Sequence, residues 1–230
     1  MSTLGMEWNM KDDTLGVSRS LIKLGDNSRI GSSTDDWCGF GSAKLTKRTM
    51  LSDTNAVFDP LGLFSPVTVV PKIILQNCWQ LNTKWDEPVP DDISKDFLRW
   101  CKQIPQLVDL QVPRWMASNG LEMSEKISLH VFCDASKDAY VTCIYLRSHV
   151  KEEVKIQLVM SNARVAPKKR LTIPHLELLA CLIGARLAQQ VIREVGMSEE
   201  KVWYWTDSST ALTWIQSDKP WGTFVSNRVK

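Results

Sequence analysis

The run LTIPHLELLACLIGARLAQQVIREVG, residues 171–196, does most to limit the folds open to this chain. Thr172 suits a cap, Pro174 a first turn and Gly196 a stop, so the spacing predicts a single long helix. Its apolar residues lie nearly all round, so it needs a broad partner to pack on. Three β-rich runs precede it, ISLHVFCD (127–134), AYVTCIYLR (139–147) and KIQLVMS (155–161). The run KVWYWTD (201–207) follows, and Ser208–Gln216 starts another helix. Three strands, helix, strand, helix is the order of an antiparallel meander closed by a crossover strand. The expected fold is α/β, a mixed sheet with flanking helices.

The segment MASNGLEMSEK, residues 116–126, has no apolar period and contains Asn-Gly, which divides a region 1–125 from a region 126–230. Before it, prolines are frequent and elements should be short and mainly helical. Helices are expected at Pro71–Leu81 and Ile93–Gln103, where apolar residues recur at helical spacing. The polar stretch GDNSRIGSSTDDW, 25–37, reads as a loop. Residues 1–125 hold 13 Lys/Arg against 16 Asp/Glu, and residues 126–230 hold 15 against 10. The second region is the better anion binder, although a solvated surface explains so small an excess equally well.

Composition excludes several classes. No run approaches 18 consecutive apolar residues, and MSTLGMEWNMKDD has no basic stretch leading into an apolar core, so neither membrane span nor secretory signal is expected. The six cysteines form no C-x-x-C pair and no zinc spacing with histidine, which favours reduced thiols.

Three carboxylates stand out. Asp134 ends an apolar strand, Asp207 ends the aromatic strand, and Glu177 is expected in the first turn of the long helix among Leu176, Leu178, Leu179, Ala180, Leu182 and Ile183. Strand-end aspartates often serve only turns and caps. A carboxylate buried beside those leucines without a partner costs several kcal/mol or protonates. The helix macrodipole offsets roughly 0.3–1 kcal/mol of that. A crossover that sets the last strand parallel to the first brings Asp134 and Asp207 to neighbouring strand ends, about 5 Å apart. The helix between them can add Glu177. Three such groups repel one another unless a cation fills the gap, and hard oxygen ligands favour Mg2+ or Mn2+. Two ions about 4 Å apart suit phosphodiester cleavage.

The motifs FCDAS (132–136), LTIPHLELLA (171–180) and WTDSS (205–209) resemble the Asp, Glu and Asp motifs of the RNase H domain, in the order of that family. With LSDTNAVFDPLGLFSPVTVVPKIILQNCW (51–79), VPRW (112–115), SNARVAP (161–167) and TFVSNRV (223–229), the chain resembles the Pol polyprotein of BEL/Pao-type LTR retrotransposons over nearly its whole length. The resemblance implies that 1–125 is a reverse transcriptase thumb and connection region. It implies that 126–230 is most of an RNase H domain, incomplete at its C-terminus. Asp134, Glu177 and Asp207 become catalytic ligands of a two-metal Mg2+ or Mn2+ site acting on RNA–DNA hybrids. Polymerase would lie upstream, and the rest of RNase H and an integrase downstream, in a virus-like particle in the cytoplasm or in the nucleus.

The chain also departs from that pattern. The family's fourth carboxylate, an Asp on a closing helix after a further strand, has no counterpart here, and Asp218 is too close to Asp207 to take the part. No aromatic-x-Asp-Asp polymerase motif occurs. This region of Pao elements also carries a peptidase label, yet neither Asp-Thr-Gly nor Asp-Ser-Gly is present, so proteolysis is not expected. Two functions remain open: a metal-dependent ribonuclease in the intact parent, or, for this fragment alone with the fourth carboxylate missing, an inactive retroelement remnant that binds nucleic acid or nothing. Lys168, Lys169 and Arg170 suit hybrid phosphates or a solvated loop alike. Trp79, Trp100, Trp203, Trp205 and Trp214 fit apolar packing better than base stacking. His175 is read as structural.

Overall fold

In the computed structural model, residues 2–3, 6–17, 45–81, 83–114, 127–150, 153–168, 171–197 and 201–229 are described. The chain divides into two compact units, Met1–Pro60 with Pro66–Trp115, and Leu61–Ser65 with Met116–Lys230. The expected loop at 25–37 and the boundary between 125 and 126 lie outside the described residues.

The first unit joins helices to a small sheet. Strands β1 (Ser2–Thr3), β2 (Met6–Asn9) and β3 (Thr14–Val17) form a meander. Helix α1 (Lys47–Ala56) opens on a capping box in which Thr46 accepts from the Thr49 amide and Thr49 from the Thr46 amide. Lys47 is buried there but satisfied, its Nζ donating to the Leu81 and Thr83 carbonyls at 3.2 and 2.8 Å. Helix α2 runs over Ser65–Cys78, so the helix expected at 71–81 starts earlier and carries Pro71 inside it. It ends earlier too, because the Trp79, Gln80 and Leu81 amides each bond three residues back and tighten the chain out of the helix. Helix α3 (Asp91–Gln103) buries Phe97, Trp100 and Cys101 and continues as a 3-10 turn at Ile104–Asp109. Strand β4 (Gln111–Pro113) then pairs antiparallel with β3. This four-stranded sheet, ordered β1-β2-β3-β4, adds to the helical region that the sequence led us to expect.

Arg114, just past β4, ties that sheet to the β2–β3 turn. Its Nε and Nη2 donate to the two Asp13 carboxylate oxygens at 2.7 and 3.2 Å, and its guanidinium lies 4.8 Å over the Trp8 ring. The Arg114 hydrogen bond holds the Asp13 carboxyl below the ordinary carboxylate range. A carboxyl lowered in the folded state adds stability above its unfolded pKa of about 3.9 and loses it as pH falls through the folded value. NMR titration should therefore give Asp13 a midpoint below that of a free aspartate, and Arg114→Gln should raise it. A midpoint unmoved by Arg114→Gln would contradict this pairing.

The second unit contains the α/β order read from the sequence. Strands β5 (Ile127–Ala135), β6 (Ala139–Val150) and β7 (Glu153–Val165) form the antiparallel meander. Helix α4 (Ile173–Val195) crosses over to β8 (Val202–Trp205), and α5 (Ser209–Gln216) and α6 (Thr223–Ser226) follow. The sheet order is β7-β6-β5-β8, with β8 parallel to β5. Along β5, Ile127, Leu129, Val131 and Cys133 are buried and alternate with exposed or half-buried residues. That buried face meets α4, whose Leu176, Ala180, Ala188, Val191 and Ile192 join the same core.

Two glycines of this region are required for different reasons, one by backbone conformation and one by close packing. Gly196 ends α4 in the left-handed region at φ 69°. At Gly184 a Cβ would come within 2.6 Å of Cys133 Sγ, so only glycine lets the helix axis sit this near β5. Among the described residues no helix is long and apolar enough to cross a membrane, and the five described cysteines are free thiols.

Candidate metal centre

Parallel pairing of β5 with β8 brings the two aspartates together. Phe132 pairs with Trp205 at the end of the shared ladder. Asp134 and Asp207 each stand two residues beyond that pair, so equal steps along adjacent parallel strands bring them to the same rim. The Asp207 turn is pinned locally: Thr206 Oγ1 accepts from the Ser208 amide at 3.2 Å, and Ser208 caps α5 by accepting from the Ala211 amide at 3.1 Å. Asp134 Oδ1 accepts from the Ala135 amide at 2.6 Å.

Glu177 reaches the rim from α4. Thr172 is the N-cap, which puts Glu177 at the fifth helical residue, beyond the first turn where the macrodipole is felt. Nor is it fully buried: Leu176 and Leu178 are, whereas Glu177 is half-buried and turned toward the aspartates. The helix is held at this depth one turn later, where buried Thr142 on β6 donates its Oγ1 to the Ala180 carbonyl at 2.8 Å. Beside Asp134, the neighbouring Cys181 thiol and burial push the Cys133 thiol pKa up.

The ligand oxygens of Asp134, Glu177 and Asp207 all lie within 4.8 Å of one another, with both aspartates exposed. Among the described residues no lysine or arginine forms an ion pair with any of the three. Three carboxylates this close without a cationic partner repel one another. Hard, partly solvated oxygen donors of this kind fit a divalent ion such as Mg2+ or Mn2+.

Other sequence candidates fare differently. Lys168 is exposed just past β7, while Lys169 and Arg170 lie outside the described residues. Trp100 is buried as expected, but Trp79, Trp203 and Trp205 are 58%, 56% and 47% exposed, which corrects the core assignment for those three. For the last two the reason is position: β8 is an edge strand, and its Trp205 stacks on Phe132 and His130 on the sheet face away from α4. The sequence reading missed the surroundings of His175, which touches both Trp214 and Phe224. No local signal joins those three positions.

A family model described as the Pao retrotransposon-like RNaseH-like domain matches residues 46–208, a span that contains all three carboxylates. No curated protein matches the chain.

Proposed function

The chain belongs to the Pao retrotransposon-like RNaseH-like domain family, and from that membership we propose that it is a metal-dependent nuclease unit that hydrolyses the RNA strand of RNA–DNA hybrids. Asp134, Glu177 and Asp207 are the ligands, and Mg2+ or Mn2+ is the cofactor. The observation that carries this reading is the convergence of three carboxylates within 4.8 Å with no cationic partner among the described residues. The chemistry supplied by bound divalent ions is neutralisation of phosphodiester charge and activation of water.

The residues of the chain do the rest. Asp134 lies on β5 and Glu177 on a helix tied to the sheet, while Asp207 sits in the short turn from β8 to α5 that the Thr206 and Ser208 hydrogen bonds pin, so each is held by ordered backbone. With both aspartates exposed on a rim, a duplex can approach without entering a cavity. In the parent polyprotein, residues 1–125 would serve as the thumb and connection of a reverse transcriptase, presenting the hybrid, with Lys168, Lys169 and Arg170 on its phosphates.

A labelled RNA–DNA hybrid incubated with the full chain and Mg2+ should lose its RNA strand while duplex DNA stays intact, and EDTA should stop the reaction. Absence of cleavage in both Mg2+ and Mn2+, or equal cleavage of duplex DNA, sinks this reading. A second reading, nucleic-acid binding without turnover, is favoured by the exposed Phe132, Trp203 and Trp205 and by a metal-type group of only three carboxylates among the described residues. Hybrid retention on a filter with no cleavage would select it.

A further inference from the structure

Three rings from three elements meet near the start of α4, the helix that carries Glu177. His175 stands two residues before it on α4, Trp214 lies on α5 and Phe224 on α6. The His175 ring centroid is 5.2 Å from that of Trp214, tilted, and 4.7 Å from that of Phe224, edge-on. Thr172 makes no side-chain cap to the helix amides; its hydroxyl is hydrogen-bonded to His175 Nδ1 instead. The outer side is supported too. Trp221 abuts Trp214 at 6.4 Å, and the Arg228 guanidinium lies 3.7 Å over Phe224 while Nη1 donates to the Phe224 carbonyl at 2.7 Å.

Both ends of this cluster lead to the carboxylates. Glu177 follows His175 on the same helix, and α5 begins directly after the Asp207 turn. Among the described residues no hydrogen bond or ion pair holds the Glu177 or Asp207 carboxylate, so their separation depends on how α4 sits against the sheet and against α5. The rings bridge α4 to α5 and α6, and Trp214 and Phe224 lie outside the span matched by the family model.

We propose that His175, Trp214 and Phe224 form a brace whose task is positioning: it sets Glu177 against Asp207 and so tightens divalent-metal binding without touching the metal. This rests on the metal-centre reading above. Groups that orient ligands from behind typically change metal affinity about 10- to 100-fold when removed. The contribution is one of packing, so a ring that keeps the contacts should keep the affinity.

The test is Mn2+ affinity of the full chain by electron paramagnetic resonance, with amide hydrogen exchange on the metal-free protein. His175→Ala and Phe224→Ala should bind Mn2+ about tenfold more weakly, whereas His175→Phe should stay within about twofold of wild type. Ile144→Val, a change in the buried sheet core on β6, should lower stability and leave affinity unchanged. The amides of Leu176, Glu177 and Leu178 should exchange faster in the two alanine variants than in Ile144→Val. Wild-type affinity in the alanine variants, equal weakening by Ile144→Val, or unaltered exchange would overturn the brace. Glu177→Gln separates the two ideas. If it leaves affinity unchanged, the metal centre fails and the brace with it; if it abolishes binding while the alanine variants bind normally, only the brace fails.

Discussion

Asp207→Asn should bind Mn2+ at least about 100-fold more weakly than the wild-type chain, and its thermal midpoint should stay put or rise by about 2 °C. Both parts have one cause. The three carboxylates crowd within 4.8 Å, with no cation paired to them among the described residues. Neutralising one removes like-charge repulsion that the folded chain otherwise bears, and it also removes a hard oxygen ligand. A residue retained for folding would show the opposite sign, because its loss would lower the midpoint. The amide of asparagine keeps the size of the side chain, so the Thr206–Ser208 turn and the Ser208 cap should survive. Isothermal titration with Mn2+ and a melting curve, run on both proteins, check the pair of expectations. Unchanged affinity, or a large drop in midpoint, would count against Asp207 as a ligand.

Gly184→Leu should lower stability by about 2–3 kcal/mol. A Cβ at that position already meets Cys133 Sγ at 2.6 Å, Val131 Cγ1 at 3.2 Å and Thr142 Cγ2 at 3.3 Å, and the rest of a leucine has nowhere to go. Replacing a mid-helix glycine recovers only about 1 kcal/mol of helix propensity, too little to reverse the sign. The midpoint should fall by about 4–10 °C for a protein of this size. Cys133→Ala in the same chain should recover part of the loss, because the closest clash is with that thiol. A Gly184→Leu protein as stable as wild type would show that α4 does not rest on β5 at this depth. The same contact matters to the site, since Cys133 adjoins Asp134 and Gly184 lies two turns along the helix from Glu177.

Much of the second unit was legible because its elements carry their own periods. The buried-exposed alternation of β5 and β6 and the capped apolar run of α4 define their secondary structure locally. Strand-end position and the expected crossover then gave Asp134, Glu177 and Asp207 as a group. The small sheet of the first unit was not legible. Its strands are two to four residues long, and Thr14 finds its hydrogen-bond partner Gln111 almost a hundred residues away. Helix α1 was hidden by its polarity and by a capping box with threonine, not Glu or Gln, at the third helical position. Trp203 and Trp205 were misassigned because an aromatic strand reads alike at the centre and at the edge of a sheet. His175 was passed over because its partners, at 214 and 224, are joined to it only by the folded chain.

The central claim is that Asp134, Glu177 and Asp207 form one divalent-metal centre. X-ray diffraction from crystals soaked in Mn2+, recorded at the manganese absorption edge, tests it most directly. The predicted result is an anomalous peak roughly 2.1 Å from oxygens of all three carboxylates. A peak bound elsewhere, or none at these residues at millimolar Mn2+, would contradict it.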